Sequence, residues 1–343
     1  MKAIYLDCFS GLSGNMLLGA FLAAGVPLLY LEGELQKLLG TETFRLHVSA
    51  VKRSGIAATY VEVEDISAAH AHGEHGTHDH AGQGAHSHRT MGEIRNLLAA
   101  SPLTDAVKER ALSVFSCLAE AEGEVHGLPP EEVHFHEVGA VDSIVDIVGT
   151  ALALEYLAIE KVFVSRVNTG SGYVDCAHGR MMVPAPATAA LLRGIPFYHN
   201  DEQRELTTPT GAAVVHALAA YANYLPAGFQ PDKIVYGAGT WELVTPNVLR
   251  VYVGEYEERQ TVKRYIIETN IDDMNPQNYE YVFDRLLAAG ALDVWLTPIM
   301  MKKSRPAAAL SVLVEEAGRE RCADILFRET TSIGLRVMPV AER

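Results

Sequence analysis

With 343 residues, 48% of them hydrophobic and 21% charged, the chain has ample apolar material for two cores and too little charge for wholesale disorder. Its net charge of −15 excludes nucleic acid as a general partner and argues against anionic membranes, since both require a basic face. Four scattered cysteines (Cys8, Cys117, Cys176, Cys322) form no Cys-x-x-Cys pair, and no apolar run reaches the roughly 18 residues that span a bilayer, so a cytoplasmic protein is expected.

Residues 2–6 predict a short buried strand. Asp7-Cys-Phe-Ser-Gly-Leu-Ser-Gly-Asn15 then leads into a helix over 16–24 that stops at Gly25 and Pro27. The turn is either a helix start that presents N–H groups to an anion or a tight turn that needs glycine geometry. Residues 44–51 and 56–64 alternate apolar and polar around Lys52-Arg-Ser-Gly55 and predict two strands and a turn.

The composition then shifts. The segment at about 67–89 holds His70, His72, His75, His78, His80, His86 and His88, half of the chain's 14 histidines, and no apolar residue larger than alanine. Such a segment cannot bury itself and predicts a disordered loop. Its neutral imidazoles suit nickel, copper or zinc, and a plain solvated linker is the other reading.

Thr90 and Glu93 have the spacing of a capping box. A longer helix is expected over 104–126, ending at Gly127 before Pro129-Pro130. Next come His134-Phe-His-Glu137 and a helix to about residue 157 in which Asp142 and Asp146 stand i and i+4 on one face. Val141, Ile144, Val145 and Val148 form the opposite, apolar face. His134, His136 and Glu137 beside those carboxylates have the ligand types of a divalent-metal site. Acidic residues complementing a helix macrodipole, with two loop histidines, would look the same.

A strand over 161–167, the turn Asn168-Thr-Gly-Ser-Gly172, a helix opening at Pro184-Ala-Pro and another over 212–222 follow. Glu205-Leu-Thr-Thr-Pro-Thr-Gly211 offers Thr208, Thr210 and Gly211 either to a phosphate or carboxylate or to plain capping. Beyond about residue 262 the order becomes β-α-β-β-α-β, the ferredoxin-like succession. The expected fold class is therefore α+β, with a mixed α/β domain at 1–258 and a ferredoxin-like nucleotide-binding domain at 259–343. In the second domain, Asp272 and Asp273 could hold a hard cation, and Lys302, Lys303 and Arg305 a triphosphate. A salt-bridged surface hairpin is the alternative.

Six motifs carry a resemblance: Asp-x-Phe-x-Gly-x-Ser-Gly at 7–14, Phe-His-Glu-Val-Gly-Ala-Val-Asp-Ser-Ile-Val-Asp at 135–146, His-Gly followed by Val-Pro-Ala-Pro-Ala-Thr within 178–188, Glu-Leu-Thr-Thr-Pro-Thr-Gly at 205–211, Glu-Thr-Asn-Ile-Asp-Asp-Met at 268–274 and Met-Lys-Lys-Ser-Arg-Pro at 301–306. From residue 1 to about 338 the chain resembles the LarC family, the nickel-insertion proteins of nickel-pincer nucleotide cofactor biosynthesis. The resemblance implies a nickel chelatase, a lyase. Such an enzyme inserts Ni(II) into pyridinium-3,5-bisthiocarboxylic acid mononucleotide through carbon–nickel and sulfur–nickel bonds. It uses CTP with Mg or Mn by way of a cytidylylated intermediate, and its product serves lactate racemase-type apoenzymes. A homo-oligomer is expected.

The resemblance further implies that Lys302, Lys303 and Arg305 meet the nucleotide phosphates, with Asp272 or Asp273 on the cation. Asp7, His136, Glu137, Asp142, Asp146 and His178 become the candidate catalytic groups, and His134, His136, Glu137 and the histidine tract the candidate nickel ligands. Relatives carry Asp where this chain has Asn15, which removes a charge from the first loop. They also continue beyond a point like Arg343, so the second domain is expected to lack a C-terminal extension. Two other function classes fit the residues: a nickel chaperone or store without turnover, and a metal-dependent hydrolase built on His134, His136, Glu137, Asp142 and Asp146.

Overall fold

The computed structural model describes residues 1–41, 43–66, 89–133, 135, 140–176, 179–258 and 263–340. The histidine tract at 70–88 lies outside the described residues, as do His134, His136, Glu137 and His178. The chain folds as two compact units, Met1–Glu258 and Arg259–Arg343.

The first unit opens with β1 (Lys2–Asp7), α1 (Gly14–Ala24) and α2 (Leu28–Leu39), then β2 (Phe44–Arg53) and β3 (Ile56–Asp65). After the tract come α3 (Met91–Ala100), α4 (Asp105–His126) and α5 (Val141–Tyr156). The short strands β4 (Lys161–Val164), β5 (Val167–Asn168), β6 (Tyr173–Cys176) and β7 (Gly179–Met182) follow, then α6 (Pro186–Leu191) and β8 (Phe197–Tyr198). The unit closes with α7 (Pro209–Leu218), β9 (Ala219–Tyr221), β10 (Phe229–Ala238) and β11 (Val248–Tyr256).

Several ends are set locally. Thr90 Oγ1 accepts from the Glu93 N–H while the Glu93 carboxylate accepts from the Thr90 N–H at 2.7 Å, the reciprocal capping box that starts α3. Thr104 caps α4, and Gly127 ends it in the left-handed conformation at φ 66°. Two segments depart from the sequence reading. Pro27, expected only to stop a helix, also begins α2, whose Leu31, Leu35 and Leu38 are buried at helical spacing. The helix expected to run to 222 ends at Leu218, because Ala219–Tyr221 pairs parallel with β4 and the sheet outweighs helix propensity.

Seven strands form one sheet in the order β2-β3-β10-β11-β1-β4-β9. β1 is an interior strand, antiparallel to β11 and parallel to β4. Side chains alternate across it. Ile4 and Leu6 point into the main core with Met16, Leu17 and Phe21 of α1 and with Ile144, Val145 and Val148 of α5. Ala3 and Tyr5 point to the opposite face, where they join Phe163 and Phe229 in a smaller cluster.

The second unit contains β12 (Arg264–Ile271), α8 (Asn278–Ala288), β13 (Ala291–Met301), β14 (Arg305–Glu315), α9 (Arg319–Glu329) and β15 (Arg336–Pro339). Its strands are ordered β13-β14-β12-β15 and pair antiparallel throughout. Val282, Leu286, Cys322 and Leu326 of the two helices bury against Ile267, Leu310, Val312 and Val314 of the sheet.

Candidate active-site groove

On the helix-covered side of the first unit, three helices begin at one groove. Ser13, Gly14 and Asn15 start α1, Asp142 and Ser143 start α5, and Thr208, Pro209 and Thr210 start α7. Glu62, Tyr60 and Glu205 complete this lobe. A second lobe of about 420 Å³ shares Ser13, Asn15, Glu205 and Thr208 with the first. It adds Tyr173, Asp175, Arg204, Trp241 and Asn247. One lobe is thus lined by four carboxylates, and the other by two aromatic rings, a guanidinium and the carboxylates of Asp175 and Glu205.

Backbone contacts hold these segments together. The Leu12 N–H donates to the Leu206 carbonyl at 2.9 Å, and the Thr208 N–H returns to the Leu12 carbonyl at 3.0 Å. Asn168, buried beneath them, donates to the Phe9 carbonyl at 2.9 Å, and its own backbone carbonyl accepts from the Thr207 hydroxyl at 2.7 Å. Asn247 Oδ1 accepts from the Trp241 N–H at 3.0 Å and its Nδ2 donates to the Ser10 carbonyl, which fixes the loop that carries the indole. The Arg204 guanidinium stacks 4.9 Å from the Trp241 ring centre, a cation–π contact at the rim.

Asp142 and Asp146 share the groove side of α5, as their spacing predicts. Asp142 Oδ1 accepts from the Ser143 N–H at 2.8 Å. Loss of water nonetheless pushes its carboxyl above the usual range. Asp146 goes further: burial first, and then the neighbouring Asp142 charge, drive its pKa well above that of an ordinary aspartate. Its Oδ1 is buried and has no hydrogen-bond partner among the described residues. Gly14 makes room for the carboxyl, since a Cβ there would stand 2.0 Å from Asp146 Oδ2.

The remaining candidates fall in several places. Thr208 and Thr210 line the groove, but Thr208 Oγ1 already accepts from the Gly211 N–H at 3.2 Å, so capping occupies it. Gly211 packs against backbone, where a Cβ would meet the Leu12 carbonyl at 2.4 Å. The Asn15 side-chain oxygen accepts from the Ser13 hydroxyl, which engages one of its two lone pairs.

Asp7 is not in the groove. It lies on the other face of the sheet in an ion pair with Arg250 and lines a separate cavity with Tyr5, Phe9, Arg166, Tyr198 and Tyr252. Among the described residues no three His, Cys, Asp or Glu side chains converge as ion ligands.

In the second unit, Asp272 pairs with Arg305 at 3.3 Å and Asp273 accepts from the Thr331 hydroxyl. Lys302 and Lys303 stand exposed at the hairpin turn, where Lys303 and Ser304 have left-handed backbones at φ 61° and 55°. The salt-bridged hairpin is therefore present, and it leaves two exposed cations at its tip.

Sequence reasoning missed Ser13, Glu62, Tyr173, Arg204 and Trp241 as groove residues. Only Trp241 carried a local signal, as one of two tryptophans and beside Gly239 in a polar turn.

Comparison with known proteins agrees over almost the whole chain. The family described as nickel insertion protein matches residues 4–343. The pyridinium-3,5-bisthiocarboxylic acid mononucleotide nickel insertion protein of Clostridium kluyveri is 47% identical over 337 residues, which cover 98% of this chain and 83% of the relative. Its namesake in Clostridium acetobutylicum is 47% identical over 355 residues, covering 98% of this chain and 84% of the relative. Among solved structures, the apo C-terminal domain of a cyclometallase involved in synthesis of the NPN cofactor of lactate racemase is 41% identical, covers 23% of this chain and 54% of its own, and has a TM-score of 0.22.

Proposed function

The chain belongs to the nickel insertion protein family, and from that premise we propose that it is a chelatase-type enzyme that inserts Ni(II) into pyridinium-3,5-bisthiocarboxylic acid mononucleotide. In this reading nickel bonds both thiocarboxylate sulfurs and the ring carbon between them. The observation that carries it is the two-lobed groove. A pyridinium ring and Ni(II) are cationic and suit the lobe of Glu62, Asp142, Asp146 and Glu205. The substrate also has a planar ring and a phosphate, which suit Trp241, Tyr173 and Arg204 in the other lobe. Thr208 stands where the lobes adjoin and Thr210 lines the carboxylate lobe, where both would face the mononucleotide.

Within the same reading CTP binds the second unit. Lys302, Lys303 and Arg305 meet its phosphates, and Asp272 or Asp273 holds Mg or Mn, which supplies charge neutralisation for cytidylyl transfer. His70, His72, His75, His78, His80, His86 and His88 collect nickel, and His134, His136 and Glu137, which directly precede α5 in sequence, pass it to the groove. The product serves lactate racemase-type apoenzymes.

The test is reconstitution. A lactate racemase apoprotein is expected to gain activity only with this protein, the pincer mononucleotide, nickel and CTP together. Unchanged activation without CTP would overturn the nucleotide step, and no nickel in the product by mass would overturn the insertion. A carrier without turnover is the second reading, favoured by the concentration of seven histidines at 70–88. Deleting 70–88 separates the two. An enzyme keeps its activity at saturating nickel, whereas a carrier loses it.

A further inference from the structure

Insertion as proposed above releases a proton, and the groove holds a group suited to take it. The thiocarboxylates at ring positions 3 and 5 flank a single C–H. When nickel bridges both sulfurs and bonds that carbon, the C–H bond breaks heterolytically. Its electron pair becomes the carbon–nickel bond, nickel stays Ni(II), and one proton leaves. Nothing is oxidised or reduced, so the bond exchange itself needs a base and no oxidant or reductant.

We propose that Asp146 is the catalytic base that accepts this ring proton on Oδ1. The inference rests on the insertion reading and adds the residue that completes it. Four carboxylates line the lobe, and their settings differ. Asp142 Oδ1 is engaged by the Ser143 N–H, Glu205 has a partner, and Glu62 stands exposed on β3. Asp146 is held by packing on one oxygen and lacks a hydrogen-bond partner on the other. Its Oδ2 is wedged against Gly14 at the start of α1, and its buried Oδ1 has no partner among the described residues. A base fixed to a rigid helix meets the positional demand of proton abstraction from carbon better than a loop residue. Burial and the Asp142 charge also raise its proton affinity, which strengthens it as a base. The other ionisable groups lining the lobe are Asp142 from α5, Glu62 and Tyr60 from β3, and Glu205 ahead of α7.

The experiment is single-turnover nickel insertion by the full chain with CTP and magnesium present, product measured by mass, for wild type, Asp146→Asn, Asp146→Glu and Asp146→Ala. Asp146→Asn is expected to slow insertion by about 100-fold or more, a fall well beyond any loss in its affinity for nickel or for the pincer mononucleotide. The wild-type rate should rise with pH along a limb that Asp146→Asn lacks and Asp146→Glu displaces. Added formate should restore part of the rate to Asp146→Ala, which a purely structural role would not allow. A near-wild-type rate in Asp146→Asn with the limb intact overturns the assignment and leaves the insertion reading standing. A wild-type protein that inserts no nickel overturns both.

Discussion

Gly14 and Asp146 meet so closely that α1 and the groove face of α5 admit no side chain between them: a Cβ on the glycine would lie 2.0 Å from Asp146 Oδ2 and 2.5 Å from its Cβ. The Oδ2 end of the carboxyl, its carbon and the Cβ stem are all in the way, so rotation alone cannot clear the clash. Gly14→Ala is expected to cost about 1–3 kcal/mol of stability. It should also turn Asp146 away from the groove, so insertion falls far more than melting temperature does. Equal activity in the alanine variant would show that the contact does not position Asp146.

The buried carboxyl also has a stability consequence of determinate sign. A group whose folded pKa lies above its unfolded value holds its proton more tightly when folded. The resulting stabilisation is present below the ordinary carboxylate range and is lost as pH rises through the raised value. Asparagine at the same position has no charge to desolvate. Asp146→Asn and wild type should therefore melt alike near pH 4, and the variant should melt higher toward pH 8. Thermal scans across that range decide it, and parallel curves would rule out a raised pKa. A stabilised but inactive variant is the pattern of a functional group kept at a stability cost.

Asp7 gives the opposite outcome. Its carboxylate pairs with Arg250, whose guanidinium also lies over the Phe9 and Tyr252 rings on the sheet face away from the groove. Asp7→Asn should lower stability by about 1–2 kcal/mol through loss of a charge-assisted hydrogen bond, with the rate of insertion close to wild type. A large fall in rate at full folding would return Asp7 to the reaction.

At the second unit's hairpin, stability and nucleotide binding should move in opposite directions. Lys303 has a left-handed backbone at φ 61°, a conformation that costs an L-residue about 1–2 kcal/mol and glycine nothing. Lys303→Gly should raise the melting temperature while weakening CTP, measured by the CTP concentration that half-saturates insertion. Arg305→Ala removes an exposed pair with Asp272 and should shift stability by less than about 1 kcal/mol. Unaltered CTP dependence in both variants would place the nucleotide elsewhere.

Much of the local structure could be read in advance because its causes are local. The Thr90–Glu93 box, the Gly127 stop and the shared face of Asp142 and Asp146 each depend on residues within one or two turns. Even the position of Asp7 outside the groove was implicit, since alternation along β1 puts it opposite the buried Leu6. The groove itself was not legible. It brings Asn15, Glu62, Asp146, Arg204 and Trp241 together from separate elements, and their meeting depends on strand order rather than on any local pattern. β9 escaped for a related reason, since Ala219–Tyr221 becomes a strand only where β4 provides an edge.

The interior place of β1 in the sheet bears on how the polypeptide is made. Its antiparallel neighbour β11 begins at Val248, so β1 waits during synthesis for the last strand of its unit. At about 5–20 residues per second on the ribosome, that wait is on the order of ten to fifty seconds. Throughout it Ile4 and Leu6 belong to a strand with an open edge, the form of exposure that invites mispairing between nascent chains. Chaperone demand during translation should therefore track the delay before Val248–Tyr256 emerges, and synonymous codons that slow the ribosome ahead of that segment should lower the yield of folded protein without changing a single side chain.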